Sequence, residues 1–164
     1  MTAPIQGPTQ LTVFLLCCPS GGGKSTYAAR LLDIMTAWQS PTVIICPDNL
    51  REELTGDIND QSRNHFIFTQ LVPIRMNGAH SLGKHIIFDA TNTSRKARKG
   101  IIEHAKFLGY KIEAHVFHVP IEVCKARNAG RSRVIPEFVI DRQFAQWHEP
   151  SLDEGVDRIV EAET

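Results

Sequence analysis

Leu11-Thr12-Val13-Phe14-Leu15-Leu16-Cys17-Cys18-Pro19-Ser20-Gly21-Gly22-Gly23-Lys24-Ser25-Thr26 is the stretch whose reading decides the fold. An apolar run of strand length enters a glycine-rich turn. A helical pattern of Ala28, Leu31, Leu32, Met35 and Trp38 leaves it and stops at Ser40-Pro41. Successive residues without a Cβ let the backbone take φ > 0 geometry and turn several N–H groups onto one anion. The positive end of the helix that begins near Lys24 points at the same spot. Gly21, Gly22, Gly23, Lys24, Ser25 and Thr26 are therefore candidates for holding the phosphates of a nucleotide. Lys24 would reach the β- and γ-phosphates and the Ser25 hydroxyl would ligate Mg²⁺. The spacing departs from G-x-x-x-x-G-K-[ST] at one place, where Cys18 stands for the first glycine. A glycine-rich surface turn with a solvated lysine is the competing reading, and the strand-before, helix-after context weighs against it.

The chain around this stretch has 164 residues, enough for one domain with a buried core, and 42% of them are apolar. Its 18 basic and 18 acidic side chains cancel, so any contact with nucleic acid has to come from a local patch and not from an overall field. Cys17, Cys18, Cys46 and Cys124 lack metal-ligand spacing and read as reduced thiols of a cytosolic protein. No apolar run approaches the ~18 residues of a membrane helix. Nothing at the N-terminus resembles a signal peptide.

Residues 1–10 read as a loose tail and 11–164 as the domain. A second strand is expected at Thr42–Cys46, followed by Pro47-Asp48 and a short helix over 49–54 closed by Gly56. A longer helix over 60–80 carries Pro73 as a kink. A third strand, His85–Phe88, runs into Asp89-Ala90-Thr91-Asn92. Next comes a helix capped by Ser94, with a basic start (Arg95, Lys96, Arg98, Lys99) and a buried stripe of Ile101, Ile102, Ala105 and Leu108, stopped at Gly109. A fourth strand spans Lys111–Val119 and a helix runs from Pro120 to about Asn128. After a basic loop, a further helix extends from Pro136 to about Trp147, and a last strand from Val156 to Val160. Strands alternating with helices imply an α/β fold, a parallel sheet of about five strands covered on both faces.

In such sheets ligands collect beyond the carboxyl ends of the strands, where each polar cluster of this chain falls. Asp48 fits either a helix N-cap or a general base that takes a proton from an attacking hydroxyl. Arg51, three residues on, suits an anionic acceptor, or a surface ion pair. Asp89 ends an apolar strand, where a carboxylate sits near Mg²⁺ or its waters, or caps a loop. Its neighbour is Ala90, not a second acid, so the site suits a bound acceptor better than hydrolysis. Arg127, Arg131 and Arg133 surround Gly130 and read as a mobile loop that closes over a nucleotide, or as a solvated one. The Arg95–Lys99 cluster fits a phosphate-backbone patch or a solvated helix face. His115 and His118 are read on opposite faces of a strand, an arrangement unsuited to a metal.

The order of these motifs resembles the kinase domain of the 5′-hydroxyl polynucleotide kinase family. It comprises a phosphate loop, Asp-x-x-Arg at 48–51, Asp-Ala-Thr-Asn at 89–92, Ala-Arg-Asn-x-Gly-Arg at 126–131, and the passage His115-Val116-Phe117-His118-Val119-Pro120. The resemblance covers about residues 11–160. It implies an adenylate-kinase-like P-loop NTPase fold with a lid, and transfer of the γ-phosphate of ATP, with Mg²⁺, to the 5′-hydroxyl of RNA or DNA in nucleic acid repair. By matching position, Lys24, Asp48 and Arg131 would be catalytic. Lys24 and Ser25 would hold phosphates and metal, and Arg127 and Arg131 would face the ATP phosphates. Asp48, Arg51, Asp89, Thr91 and Asn92 would meet the acceptor, Arg51 through the phosphate of its terminal nucleotide. No counterpart of the phosphatase domain of the phage members is expected. Small-molecule and zeta-toxin-like P-loop kinases share the first two motifs and stay open as an alternative. A nucleotide-binding module without turnover is a third reading.

Overall fold

The computed structural model describes residues 7–163, so most of the expected tail lies outside the described residues. β1 (Thr12–Cys17), β2 (Thr42–Ile45), β3 (His85–Phe88), β4 (Lys111–Val116) and β5 (Arg158–Glu161) form one sheet in the order β2-β3-β1-β4-β5. Every neighbouring pair is parallel. A central parallel strand is covered on both faces and needs apolar side chains on both. β1 meets that demand residue by residue. Val13, Leu15 and Cys17 join the core made with α2 (Pro47–Thr55), α4 (Val72–Ser81) and α5 (Arg95–Phe107). Phe14 and Leu16, with Cys18 just beyond the strand, join the core under α1 (Lys24–Ala37) through Ala28 and Met35. Each fully buried side chain of this size contributes about 1.5–3 kcal/mol to the fold.

The expected elements are present with altered limits. β4 stops at Val116 because its partner β1 ends at Cys17 and turns into the glycine loop; Phe117 N–H takes the last carbonyl, that of Cys17, at 3.1 Å. The segment expected as one helix over 60–80 is composite. A 3₁₀ turn (Gln61–Arg63) leads into α3 (Asn64–Phe66), a wide π turn (Ile67–Leu71) and then α4, with Pro73 in its first turn. Pro73 has no N–H to give the carbonyl four residues before it, and the widened turn precedes it.

Two further helices, α6 (Ile121–Ala129) and α7 (Glu137–Ala145), complete the fold on the β4 side. The basic start of α5 is not one surface. Ser94 caps the helix by accepting from Ala97 N–H at 3.2 Å. Arg98, however, is wholly buried beneath that turn, and Arg95 is taken by Asp153 and Ser151. The cluster therefore lacks the continuous charge that a backbone-binding patch requires, and the solvated-face reading fits Lys96 and Lys99 alone.

Candidate active site

Parallel strands deliver their carboxyl ends to one edge, and the sheet order sets the sequence of segments along it. Asp48 comes after β2, Asp89 after β3, the glycine loop after β1, and the helix bearing Arg127 after β4. Main-chain bonds lock these segments together: Asp89 N–H to Ile45 O (3.0 Å) and Cys18 N–H to Thr91 O (3.0 Å). In the loop, Gly21 and Gly23 take φ of 85° and 94°. A Cβ on Gly21 would sit 2.2 Å from the Cys124 carbonyl oxygen of α6, and one on Gly22 would sit 1.9 Å from Cys18 Sγ. The departure at Cys18 is thus accommodated by the missing side chain of Gly22: the thiol fills the space that a Cβ would need. Gly23 caps α1 without any side-chain acceptor, and Tyr27 N–H to Gly23 O is its first helical bond. The amides of Lys24, Ser25 and Thr26 are consequently left without helical partners, aimed at the loop's concave side. The chain's far end supports the loop, as Gln143 Oε1 of α7 accepts from Ser20 N–H at 2.8 Å.

Lys24 Nζ donates to the carbonyls of Cys18 (2.9 Å) and Pro19 (3.0 Å), so its ammonium lies over the loop that precedes it. Burial pushes its pKa down, with the Arg131 charge adding to that and the Asp89 carboxylate opposing it. Ser25 Oγ donates to Asp89 Oδ2 at 2.8 Å. A hydroxyl and a carboxylate joined at the mouth of a phosphate loop form the oxygen donor set that suits Mg²⁺. Thr91 meets the loop through its carbonyl. Asn92 does not offer its side chain to a ligand. It is 3% exposed, in left-handed geometry (φ 48°), and its amide is spent on Leu16 O (2.7 Å) and Ala90 O (3.2 Å). Its expected contact with the acceptor is corrected to a brace between β1 and the Asp89 loop.

Asp48 is not the N-cap of its helix; that position is Cys46, and Pro47 opens α2. Asp48 follows β2, the strand beside the one that Asp89 follows; burial pushes the Cys46 thiol up, and the charges of Asp89 and Asp48 add to that. Neither oxygen of the Asp48 carboxylate is unoccupied. Arg51 Nη1 donates to Oδ1 at 2.5 Å and Arg133 Nη1 to Oδ2 at 2.8 Å. Burial pushes the Asp48 carboxyl up, but these hydrogen bonds and charges outweigh it and hold the pKa below the usual value. Arg51 is likewise committed. It is 4% exposed and gives Nε (3.0 Å) and Nη2 (2.7 Å) to Asn64 Oδ1 and Nη1 also to Ile58 O (3.2 Å). As arranged, it holds Asp48 and pins Ile58 and Asn64 with four of its five N–H donors, so its expected contact with an acceptor's phosphate is not prepared.

Arg127 lines a cavity of about 200 Å³ at the start of α1, together with Gly23, Thr26, Tyr27, Arg30 and Glu163. Arg131 is exposed and makes no side-chain hydrogen bond among the described residues. The loop that carries Arg131 and Arg133, expected to be mobile, is stapled by a buried amide: Asn128 Nδ2 donates to Ile135 O (2.7 Å) and Oδ1 accepts from Ile135 N–H (2.9 Å). In the sequence Asn128 stands out only as a motif letter. Gln143, Asn59 and Asn64 carry no signal there at all, because their contacts join segments that no spacing rule relates.

Residues 13–150 match the AAA domain family (AAA_33). No curated protein matches the chain. Among solved structures, the APS kinase CysC of Mycobacterium tuberculosis in complex with AMPPNP and APS is 15% identical, with a TM-score of 0.67 over 96% of this chain and 91% of that one. A chain of the Pnkp1/Rnl/Hen1 RNA repair complex is 20% identical, with a TM-score of 0.71 over 88% of this chain and 46% of that one. A fungal RNA kinase is 15% identical, with a TM-score of 0.65 over 95% of this chain and 39% of that one. The chain thus spans less than half the length of the two RNA-directed proteins. At these identities the likeness is one of fold, and it extends to RNA-directed and small-molecule enzymes alike. No helix among the described residues is long and apolar enough to cross a membrane. With its glycine loop, Ser25–Asp89 pair and β2-β3-β1-β4-β5 sheet, the chain belongs to the AAA domain family and has the P-loop kinase fold.

Proposed function

We propose that this protein is a phosphotransferase that moves the γ-phosphate of ATP to a hydroxyl, best the 5′-hydroxyl end of RNA or DNA. The observation that carries the reading is the placing of Asp48 in one row with the Ser25–Asp89 pair and the phosphate loop. Asp48 would then take the proton of a hydroxyl that attacks a γ-phosphate held by the loop. In this reading the amides of residues 23–26 and Lys24 hold the phosphates, Ser25 and Asp89 hold Mg²⁺, and the nucleotide's base enters the cavity beside Arg127. Bound Mg²⁺ would neutralise phosphate charge. Arg131, with no partner of its own among the described residues, approaches Lys24 and stabilises charge that develops on the transferring group. The order of the Asp-x-x-Arg and Arg-Asn-x-Gly-Arg motifs favours a nucleic-acid acceptor by resemblance, with Arg51 serving to hold Asp48, and the RNA-directed fold neighbours are compatible with it. A small hydroxyl compound is the alternative, favoured by the zero net charge and by the broken-up Arg95–Lys99 cluster.

Lys24→Ala is expected to weaken ATP binding and to slow transfer by roughly 10²–10³-fold, because a charge aimed at the phosphates is lost. Isothermal titration and a single-turnover assay check this; unchanged affinity and rate would remove the loop from the mechanism. The acceptor class is tested with γ-labelled ATP and a panel of 5′-hydroxyl RNA, 5′-hydroxyl DNA and small hydroxyl compounds. Label on an oligonucleotide is expected, and label confined to a small compound would transfer the assignment to the alternative.

A further inference from the structure

Arg133 reaches Asp48 from a loop expected to serve the nucleotide. Its Nη1 donates to Asp48 Oδ2 (2.8 Å), its Nε to Asn59 Oδ1 (2.8 Å) and its Nη2 to Ile58 O (3.4 Å). Arg51 takes Asp48 Oδ1 and the same Ile58 carbonyl from the other direction. One carboxylate and one carbonyl thus lie between two guanidinium groups, which carry one more positive charge than Asp48 neutralises. The two arginines are unequally bound. Arg51 has only 5% of its side chain exposed and keeps both Nε and Nη2 on Asn64. Arg133 has 27% exposed and hangs from a loop rather than from a packed helix. Arg133 is the one that can let go.

A general base needs a lone pair directed at the hydroxyl it deprotonates. Arg133 occupies one of the Oδ2 lone pairs, and its charge lowers the carboxylate's affinity for a proton. A phosphate offers the guanidinium fork paired charged oxygens in place of one carboxylate oxygen, one side-chain amide oxygen and one carbonyl. We propose that Arg133 reads the acceptor: a phosphate beside the acceptor's hydroxyl draws this guanidinium off Asp48 and so frees the base, whereas an acceptor without that phosphate leaves the base clamped. This rests on the phosphotransferase reading. In the step so enabled, the hydroxyl oxygen forms a bond to the γ-phosphorus and the bond from that phosphorus to the bridging oxygen breaks. ADP leaves, and the hydroxyl proton passes to Asp48 Oδ2. The stapling of the loop by Asn128 keeps Arg133 within reach of both partners, so the exchange is a side-chain movement.

The test compares a nucleoside 3′-monophosphate with the same unphosphorylated nucleoside, using the wild type, Arg133→Gln and Arg133→Lys. Binding of each is measured by calorimetry without ATP, and transfer by label from γ-labelled ATP. The wild type is expected to favour the 3′-phosphorylated acceptor by roughly 10- to 100-fold in kcat/KM, the scale of a charge-assisted pair of hydrogen bonds. Arg133→Gln is expected to shrink that ratio to a few-fold, both by weakening binding of the monophosphate and by raising kcat for the plain nucleoside. Arg133→Lys should restore part of the ratio. A purely structural arginine would lower both acceptors together; an unchanged ratio in Arg133→Gln, or no preference in the wild type, overturns the proposal. If neither acceptor receives label, the phosphotransferase reading fails and the calorimetry decides this one. Monophosphate binding that depends on Arg133 sustains an anion-reading role, and binding indifferent to it removes that role as well.

Discussion

Asp48→Ala is expected to lower the transfer rate by about 10²–10⁴-fold, the contribution of a positioned general base, while ATP binding stays close to that of the wild type. The carboxylate touches neither the phosphate loop nor the cavity beside Arg127, so its removal leaves the donor's contacts in place. Asp48→Asn should fail equally: it keeps the shape but cannot take the proton, and its amide would turn donor against donor toward one of the two arginines. Single-turnover transfer and nucleotide titration, run on both variants, check the pair of expectations. Full transfer in Asp48→Ala would remove this residue as the base.

Arg98→Met is expected to cost about 3–5 kcal/mol of stability, as breaking one side of a buried pair does. Arg98 is fully buried and gives Nε (2.9 Å) and Nη2 (2.7 Å) to the two oxygens of Glu154 and Nη1 to the carbonyls of Asn92 (2.8 Å) and His148 (2.9 Å). The substitution leaves a buried carboxylate and two carbonyls without their donor. For a chain of this length the loss corresponds to a melting temperature lower by on the order of 10 °C. Arg98→Met with Glu154→Leu should recover much of it, because the unpaired charge is then gone as well. Thermal denaturation of the single and double variants checks this, and a single variant as stable as the wild type would overturn it.

The same pair sets a pH dependence. Burial pushes the Glu154 carboxyl up, but the hydrogen bonds and charge of Arg98 outweigh it and hold its pKa below the ordinary 4.5. A carboxyl whose folded pKa is depressed contributes stability above its unfolded pKa and loses it as pH falls through the folded one. The stability gained from the pair should therefore be present at neutral pH, decline only below the ordinary glutamate range, and be missing from Arg98→Met at every pH. Because Arg98 also holds the Asn92 carbonyl, the loss is expected to loosen the loop that presents Asp89.

The strand, loop and helix at 11–38 are legible in the sequence because local chemistry dictates them. An unbroken apolar run suits a strand buried on both faces, glycine admits φ near 90°, and the helical period of Ala28 and Met35 places one face on the sheet. The ranking of Asp48, Asp89 and the loop along one edge is legible for the same reason, since parallel strands send all their carboxyl ends one way. The Pro73 region is half legible: a missing N–H announces an interruption but not the π turn that relieves it.

Charge in the sequence proves a poor guide to position. Arg95, Arg98 and Lys99 are near neighbours along one helix, yet one is wholly buried, one is paired and one is exposed, because the segment after Trp147 folds over only part of that turn. The place of Asp48 after a strand offers it as a helix cap or as a candidate general base. That both its oxygens are held depends on Arg133, which lies 85 residues away along the chain. Composition and period thus determined the elements, the loop and the edge on which ligands collect, since each comes from neighbours within a turn or a strand. Only the tertiary structure decided which polar groups are free and which are spent, because a hydrogen bond is made by whatever donor folding brings within about 3 Å, and sequence distance places no limit on which donor that is.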